Sequence, residues 1–239
     1  MTIDQRKRWP RMAARVGILL LFVGLILFQF RSGIRVTVDN TGANSVRWVV
    51  LLLVVIGIRT IAALYLWRVN PELVVARIRF HKGTKLWDKV LLAFLSLAIA
   101  LSTIVAVRDD VRFHWFPVPW WVCGFGYVLL LFGFVGMTWA EAVNKFFERT
   151  VRIQTDREQT VIDTGPYAIV RHPGYSSGLL ILVGIPLTLG SVWALLPASL
   201  SWLLLILRTQ WEDETLQAEL PGYKEYTERV RYKLIPGIW

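Results

Sequence analysis

The chain has little of what a secreted scaffold or a soluble metalloenzyme needs. Its 239 residues include one cysteine, Cys123. That excludes a disulfide framework and a cysteine-rich zinc site. The three histidines, His81, His114 and His172, lie far apart in sequence and argue against a histidine-based metal cluster, so no metal is expected. Charged residues make up only 18%, whereas a disordered chain combines high charge with low hydrophobicity. There is no Walker loop, no dinucleotide GxGxxG, no GxSxG elbow and no HExxH. No internal repeat, low-complexity segment or long flexible linker is evident.

What is present is apolar surface. The chain is 55% hydrophobic, with a mean hydropathy of +0.49. One soluble core of this size would not bury that much. Spanning the hydrocarbon takes about 20 mostly apolar residues. Runs at residues 16–30, 48–67, 90–107 and 120–140 meet or approach that length. The run at 178–207 is too long for one straight span, and Pro186 and Gly190-Ser191 fall near its middle. Two helices joined by a tight turn are the economical reading. The expected fold is an all-α integral membrane protein of about six transmembrane segments, the last two forming a helical hairpin. The first run follows Arg6, Lys7, Arg8, Arg11 and Arg15, as a signal peptide would. No small-residue cleavage site follows it, which favours an uncleaved anchor.

Lysine and arginine set the expected orientation. With the N-terminus inside, residues 1–15, 68–89, 141–177 and 208–239 carry 21 basic residues, against 5 in the two outside loops, 31–47 and 108–119. Both termini are then cytosolic. Topology and anionic lipid account for the net charge of +10, so no nucleic-acid partner is needed. Seven tryptophans, including Trp48, Trp87, Trp120 and Trp139, fall near span ends, as interfacial aromatics do. The division expected is an N-terminal membrane part, 1–140, and a core, 141–239, that carries any chemistry.

The polar residues of that core are few. Residues 141–153 read as a polar continuation of the fourth helix, with Val143, Phe146, Phe147 and Val151 as a rough stripe. Thr164-Gly165-Pro166-Tyr167 is a turn signal. Pro173 disfavours helix at His172, which leaves Arg171 and His172 extended beside a helix start. Unpaired N–H groups there suit an anion; a snorkelling arginine beside an interfacial histidine and tyrosine fits equally. Arg208 and Glu212 share a helix face at i, i+4. They form either a weak surface ion pair or a functional pair at the edge of the membrane. Arg59 interrupts the second span, where an arginine faces the bundle interior or snorkels. Glu72 and Asp88 read as loop residues. Asp109, Asp110, His114 and Cys123 read as loop or packing residues. Residues 220–239 form an aromatic, amphipathic piece expected to lie against the membrane.

The pattern Gly165-x-Tyr167-x-x-x-Arg171-His172-Pro173-x-Tyr175, a hydrophobic hairpin, then Arg208-x-x-x-Glu212-Asp213-x-x-Leu216 and Tyr223-x-x-Tyr226 resembles the isoprenylcysteine carboxyl methyltransferase family. The resemblance covers roughly 141–239. Residues 70–89, with Asn70-Pro71-Glu72-Leu73 and Gly83 to Asp88, look like its bacterial members, which implies a bacterial inner membrane. Phospholipid N-methyltransferases and membrane thiol methyltransferases look similar through the same half. The resemblance implies methyl transfer from S-adenosylmethionine, bound on the cytosolic side. Carried over by position, Gln154, Gln159, Thr160, Val161, Ile162, Tyr167, His172, Pro173, Gly174, Tyr175 and Glu212 would line the cofactor. Arg208 would face the substrate, with Arg171 and Glu212 as further catalytic candidates. Gln159 stands where well-known eukaryotic members have a histidine, so it hydrogen-bonds but carries no cation. The Gln154 match requires a two-residue gap, and Asp213 is a shorter arm than the family's second glutamate.

The chemistry implied suits these residues. An activated methyl group needs no metal, and a carboxylate acceptor is already ionised near pH 7. Arg208 would orient it through two N–H bonds. Glu212 would accept from the cofactor's ammonium, and main-chain N–H groups at 171–174 would receive its carboxylate. A lipophilic substrate would enter from the bilayer between helices. A thiol or amine acceptor would need a base, and none is obvious, which favours a carboxylate. The alternatives are phospholipid N- or thiol S-methylation, and a non-catalytic membrane protein on the same scaffold.

Overall fold

The structure is a computed structural model, and it describes residues 44–78, 83–109 and 118–239. The expected first span, 16–30, lies outside the described residues. Residues 49–239 form one compact unit, which carries the site described below.

The described elements are helical: α1 (Asn44–Val69), α2 (Pro71–Ile78), α3 (Leu86–Arg108), α4 (Trp120–Val143), α5 (Pro173–Thr188), α6 (Leu195–Glu219) and α7 (Tyr223–Arg229). Among the described residues, three stretches are long and apolar enough to cross a membrane: Val49–Val69, Leu86–Arg108 and Trp120–Val143. They match three of the expected spans. Their outward faces leave large apolar side chains uncovered, such as Ile61 at 70% and Trp120 at 82% exposure. A water-facing surface of that kind would not persist. The protein is an integral membrane protein.

Helix α5 begins at Pro173, where the ring is pre-set for a first helical turn and the missing N–H is not needed. It ends after Pro186, and residues 189–194 connect it to α6. Ser191 pins that connection: its hydroxyl donates to Asp109 Oδ2 at 2.6 Å, at the end of α3. Asp109, expected as a loop or packing residue, is a buried anchor. Helices α5 and α6 pack through Leu179 and Leu205, and Trp202 Nε1 donates to the Leu179 carbonyl at 3.1 Å.

Helix α4 lies close against α5 because glycine permits it. A Cβ on Gly133 would sit 2.6 Å from Ile181 Cγ1, and one on Gly126 would sit 2.5 Å from the Thr188 nitrogen. Small residues at such crossings let two helix backbones approach in a membrane.

The expected helical continuation through residue 153 does not form. Helix α4 stops at Val143, and Asn144 turns to extended backbone. Its side-chain oxygen accepts the Phe146 N–H at 2.8 Å. This local bond competes with the helix ladder. Phe146 and Val151 are buried, but from an irregular segment. Their spacing imitates a helical stripe.

Candidate active site

Helices α3 to α6, the irregular segment 144–170 and α7, with Arg59 of α1 and Arg77 of α2, line a cavity of about 540 Å³, within the usual range for small-molecule sites. One part of its wall is polar. Gln154, Gln159, Thr160, Val161, Ile162 and Tyr167 reach it from the segment after α4; Arg171, His172, Gly174 and Tyr175 reach it from the start of α5; Arg208 and Glu212 reach it from α6. The other part is apolar: Leu92, Leu95 and Ile99 from α3, Ile181 and Leu182 from α5, and Leu205 from α6. Of the residues marked from the sequence, Pro173 alone is not on the wall. It is buried at the first position of α5, and its carbonyl accepts from Ser177.

Proximity separates these residues into different roles. Arg171 is taken up by structure. Its Nε and Nη2 grip Asp213 at 2.8 and 3.0 Å, and Nη1 donates to the carbonyls of Val230 and Arg231, each at 2.8 Å. Asp213 is fully buried and also hydrogen-bonds His172 Nε2 at 3.2 Å, Tyr223 at 3.1 Å and Gln217 at 2.8 Å. Burial by itself would raise its carboxyl pKa. The hydrogen bonds from His172 and Arg171 outweigh that and hold it well below the usual carboxylate range.

Two main-chain N–H groups just before α5 are also engaged. Arg171 N donates to the Tyr232 carbonyl and His172 N to the Lys233 carbonyl, both at 2.9 Å. The C-terminal segment thus takes two of the N–H groups expected to receive an anion, while Gly174 stays on the cavity wall. Residue 173 is proline and has no N–H.

Arg208 is buried as well. It pairs not with Glu212 but with Asp88, Nε to Oδ1 at 2.7 Å, and Nη2 donates to the Arg149 carbonyl at 2.8 Å. Asp88 is fully buried in the first turn of α3 and also accepts the Val151 N–H at 2.8 Å. These bonds fix the guanidinium plane and leave Nη1 outside them. Arg208 lies over the Tyr175 ring, 5.1 Å from its centroid, and the Tyr175 hydroxyl donates to Glu212.

Gln154 and Gln159 brace the segment itself. Gln154 Nε2 donates to the Phe146 carbonyl at 2.7 Å, and its Oε1 accepts from Arg157 at 2.9 Å. Gln159 Oε1 accepts the Gln154 N–H at 2.8 Å. At this position a glutamine carbonyl does what an imidazolium would not. Tyr167 is buried, and burial pushes its phenol above the ordinary value while a hydrogen bond from Asn144 Nδ2 at 3.1 Å pulls back. It stays neutral, with its own proton to donate.

Sequence reasoning missed Asp88, Asn144 and Glu141. Asp88 sits in the stretch Gly83 to Asp88 that carried part of the resemblance, and that was its signal. Glu141 is an acid inside the end of an apolar helix, a placement that itself marks function.

A family model described as phospholipid methyltransferase matches residues 121–220. Protein-S-isoprenylcysteine O-methyltransferase B of Arabidopsis thaliana is 26% identical over 138 residues, covering 56% of this chain and 70% of that protein. Its A counterpart is 25% identical over the same shares. The chain is a membrane methyltransferase related to the isoprenylcysteine carboxyl methyltransferases. The matched region, 121–220, contains α4, the irregular segment, α5 and α6, and hence nearly all of the polar wall. A solved structure of the eukaryotic intramembrane Ras methyltransferase ICMT covers 94% of the enzyme, with the enzyme covering 89% of it, at 14% identity and a TM-score of 0.46; it marks a distant likeness only.

S-Adenosylmethionine fits the wall in kind. It would bring an ammonium, a carboxylate, a sulfonium, two ribose hydroxyls and an adenine. The wall offers a buried carboxylate oxygen on Glu141 that has no hydrogen-bond partner among the described residues. It also offers the Tyr167 hydroxyl and an apolar rim of Val161, Ile162, Leu216 and Leu220.

Proposed function

We propose that the enzyme methylates the carboxylate of an isoprenylcysteine-like or other lipophilic substrate, with S-adenosylmethionine as donor, inside this cavity. One observation carries the reading: the polar wall built from the motif residues is continuous with an apolar wall between α3, α5 and α6. A lipid tail and a water-soluble cofactor would meet only in such a place. The cofactor supplies a methyl group already activated on a sulfonium, so the protein's task is alignment at near-attack distance.

We assign the cofactor to Gln159, Thr160, Val161, Ile162, Tyr167, His172, Gly174, Tyr175 and Glu212, with Gln154 and Pro173 as supports behind them. Arg208 Nη1 is the donor for the substrate carboxylate, its plane held by Asp88 and the Arg149 carbonyl. A rigid guanidinium orients the acceptor without closing over it, which would stabilise the ground state as much as the transition state. Glu212 and Tyr175 hold the reacting end together. Arg171 supports the fold and is not assigned to catalysis. The apolar wall excludes water from the reacting atoms.

We also propose a six-span topology with α5 and α6 as a membrane hairpin, both termini and the polar wall on the cytosolic side, in a bacterial inner membrane. The functional division falls at residue 140, and the lipophilic substrate enters from the bilayer between helices. The positive charge distribution of the sequence supports that sidedness.

Calorimetry on detergent-purified protein tests the cofactor. Saturable S-adenosylmethionine binding, lost in Tyr167→Ala and Glu212→Ala, is expected; no binding by folded protein, with or without added lipid, overturns the reading. A second reading is phospholipid N-methylation, which the description of the matching family model favours. Assays with a prenylated cysteine analogue and with phosphatidylethanolamine vesicles decide between the acceptors.

A further inference from the structure

Three carboxylates lie on the cavity wall; Glu148 is held by Arg152 through both oxygens, which leaves Glu212 and Glu141 for a cationic ligand group. They differ in what already serves them. Glu212 accepts from the Tyr175 hydroxyl and lies one helical turn from Arg208 on α6. Glu141 lies at the end of α4, is 2% exposed, and has its Oε1 held by Arg77 Nη1 at 2.8 Å. Its Oε2 is buried without a hydrogen bond among the described residues.

A buried, ionised oxygen left without a donor is costly, and native proteins seldom leave one unless a ligand or water serves it. Around Glu141 the other groups are committed. Arg77 also donates from Nε to the Phe147 carbonyl at 3.2 Å and lies over the Phe147 ring, 5.1 Å from its centroid. Asn144, one turn on, is taken up by Phe146 N and the Tyr167 hydroxyl. None of the described residues donates to Oε2, so the carboxylate keeps an acceptor for a donor that a ligand brings. Arg77 is a single pair partner, so a second positive group on the free oxygen completes the carboxylate instead of crowding it.

We propose that Glu141 is the receptor for the α-ammonium group of the cofactor, in place of Glu212. This rests on the methyl-donor reading above. A carboxylate oxygen preset by Arg77 gives a charge-assisted hydrogen bond at one end of the cofactor. Glu212 then remains with Tyr175 and Arg208 at the reacting end. Glu141 is a binding residue and takes no part in the transfer itself.

The test titrates S-adenosylhomocysteine, and its analogue lacking the α-amino group, into wild type, Glu141→Gln and Glu212→Gln, by calorimetry on detergent-purified protein with thermal unfolding as the check on folding. Wild type is expected to prefer the amino compound by about tenfold or more, as a charge-assisted bond allows. Glu141→Gln should erase that preference by weakening the amino compound alone, and Glu212→Gln should retain it. An equal loss for both compounds in Glu141→Gln means that Glu141 only tethers Arg77, and overturns the proposal. So does a preference that disappears in Glu212→Gln, which decides the matter even if Glu141→Gln does not fold. A preference unchanged in Glu141→Gln overturns the proposal while leaving the methyl-donor reading intact. Wild type that binds neither compound removes both.

Discussion

Two buried arginine–aspartate pairs each bring an arginine to the cavity wall, and the difference between them separates support from function. At the start of α5, Arg171 and Asp213 form a closed knot. Every nitrogen of Arg171 has a partner, and Asp213 is hydrogen-bonded by Arg171, His172, Tyr223 and Gln217. The knot ties α5, α6, α7 and the C-terminal segment into one piece. Between α3 and α6, Arg208 and Asp88 make a single contact, Nε to Oδ1. There, part of the guanidinium is left over beside an aromatic ring and a second acid. Both pairs are buried, so burial does not tell them apart. The count of remaining donors does. A closed pair makes geometry; an incomplete one offers a group to a ligand.

The largest effect expected is on the closed pair. Arg171→Ala would leave Asp213 charged and buried, at a cost of about 3–5 kcal/mol, and should abolish a cooperative unfolding transition or lower its midpoint sharply. A variant with an unchanged midpoint would erase the distinction drawn here. Next is Arg208→Lys, which keeps the charge opposite Asp88 and loses the fork. Turnover should fall about 100-fold, the scale of losing one positioned donor in a reacting site, with S-adenosylmethionine affinity within about threefold. Steady-state kinetics beside calorimetry separate the two.

Acid should act on the closed pair first. The folded-state pKa of Asp213 is depressed, so its stabilisation is fully present above the unfolded value of about 3.9. It is lost as pH falls from there through the lower folded value. Thermal midpoints measured down a pH series should decline below about pH 4, and Asp213→Asn should be less stable at neutral pH with a shallower acid limb. An acid limb of wild-type steepness in that variant would place the titration elsewhere. The smallest effect is Tyr167→Phe, which removes one donor from the wall. S-Adenosylmethionine binding should weaken by about 1 kcal/mol, with little change in the unfolding midpoint.

Much of this was legible in the residues, and the pattern of what was not has a cause. The apolar runs at 48–67, 90–107 and 120–140 became α1, α3 and α4 because length and composition alone decide whether a segment can cross hydrocarbon. The break between α5 and α6 followed from Pro186 and Gly190, and the start of α5 from Pro173, since proline and glycine act through local backbone geometry. The motif residues were recognisable as a group, and all but Gly165, Pro173 and Asp213 reached one cavity. Partner choice was not legible. Arg208 shares a helix face with Glu212, yet it pairs with Asp88, 120 positions away in sequence. Arg171 looked available to a substrate until the chain's own last residues took its donors and the neighbouring N–H groups. The helix expected to run on past Val143 ended because Asn144 found a nearer bond. Sequence by itself determined which segments are apolar, where they break and which residue types gather near their ends, because those follow from interactions with the solvent and with near neighbours. Only the tertiary structure decided which charges neutralise each other and which atom, such as Glu141 Oε2, is left without a partner. Those outcomes depend on distances between parts of the chain that local rules do not set.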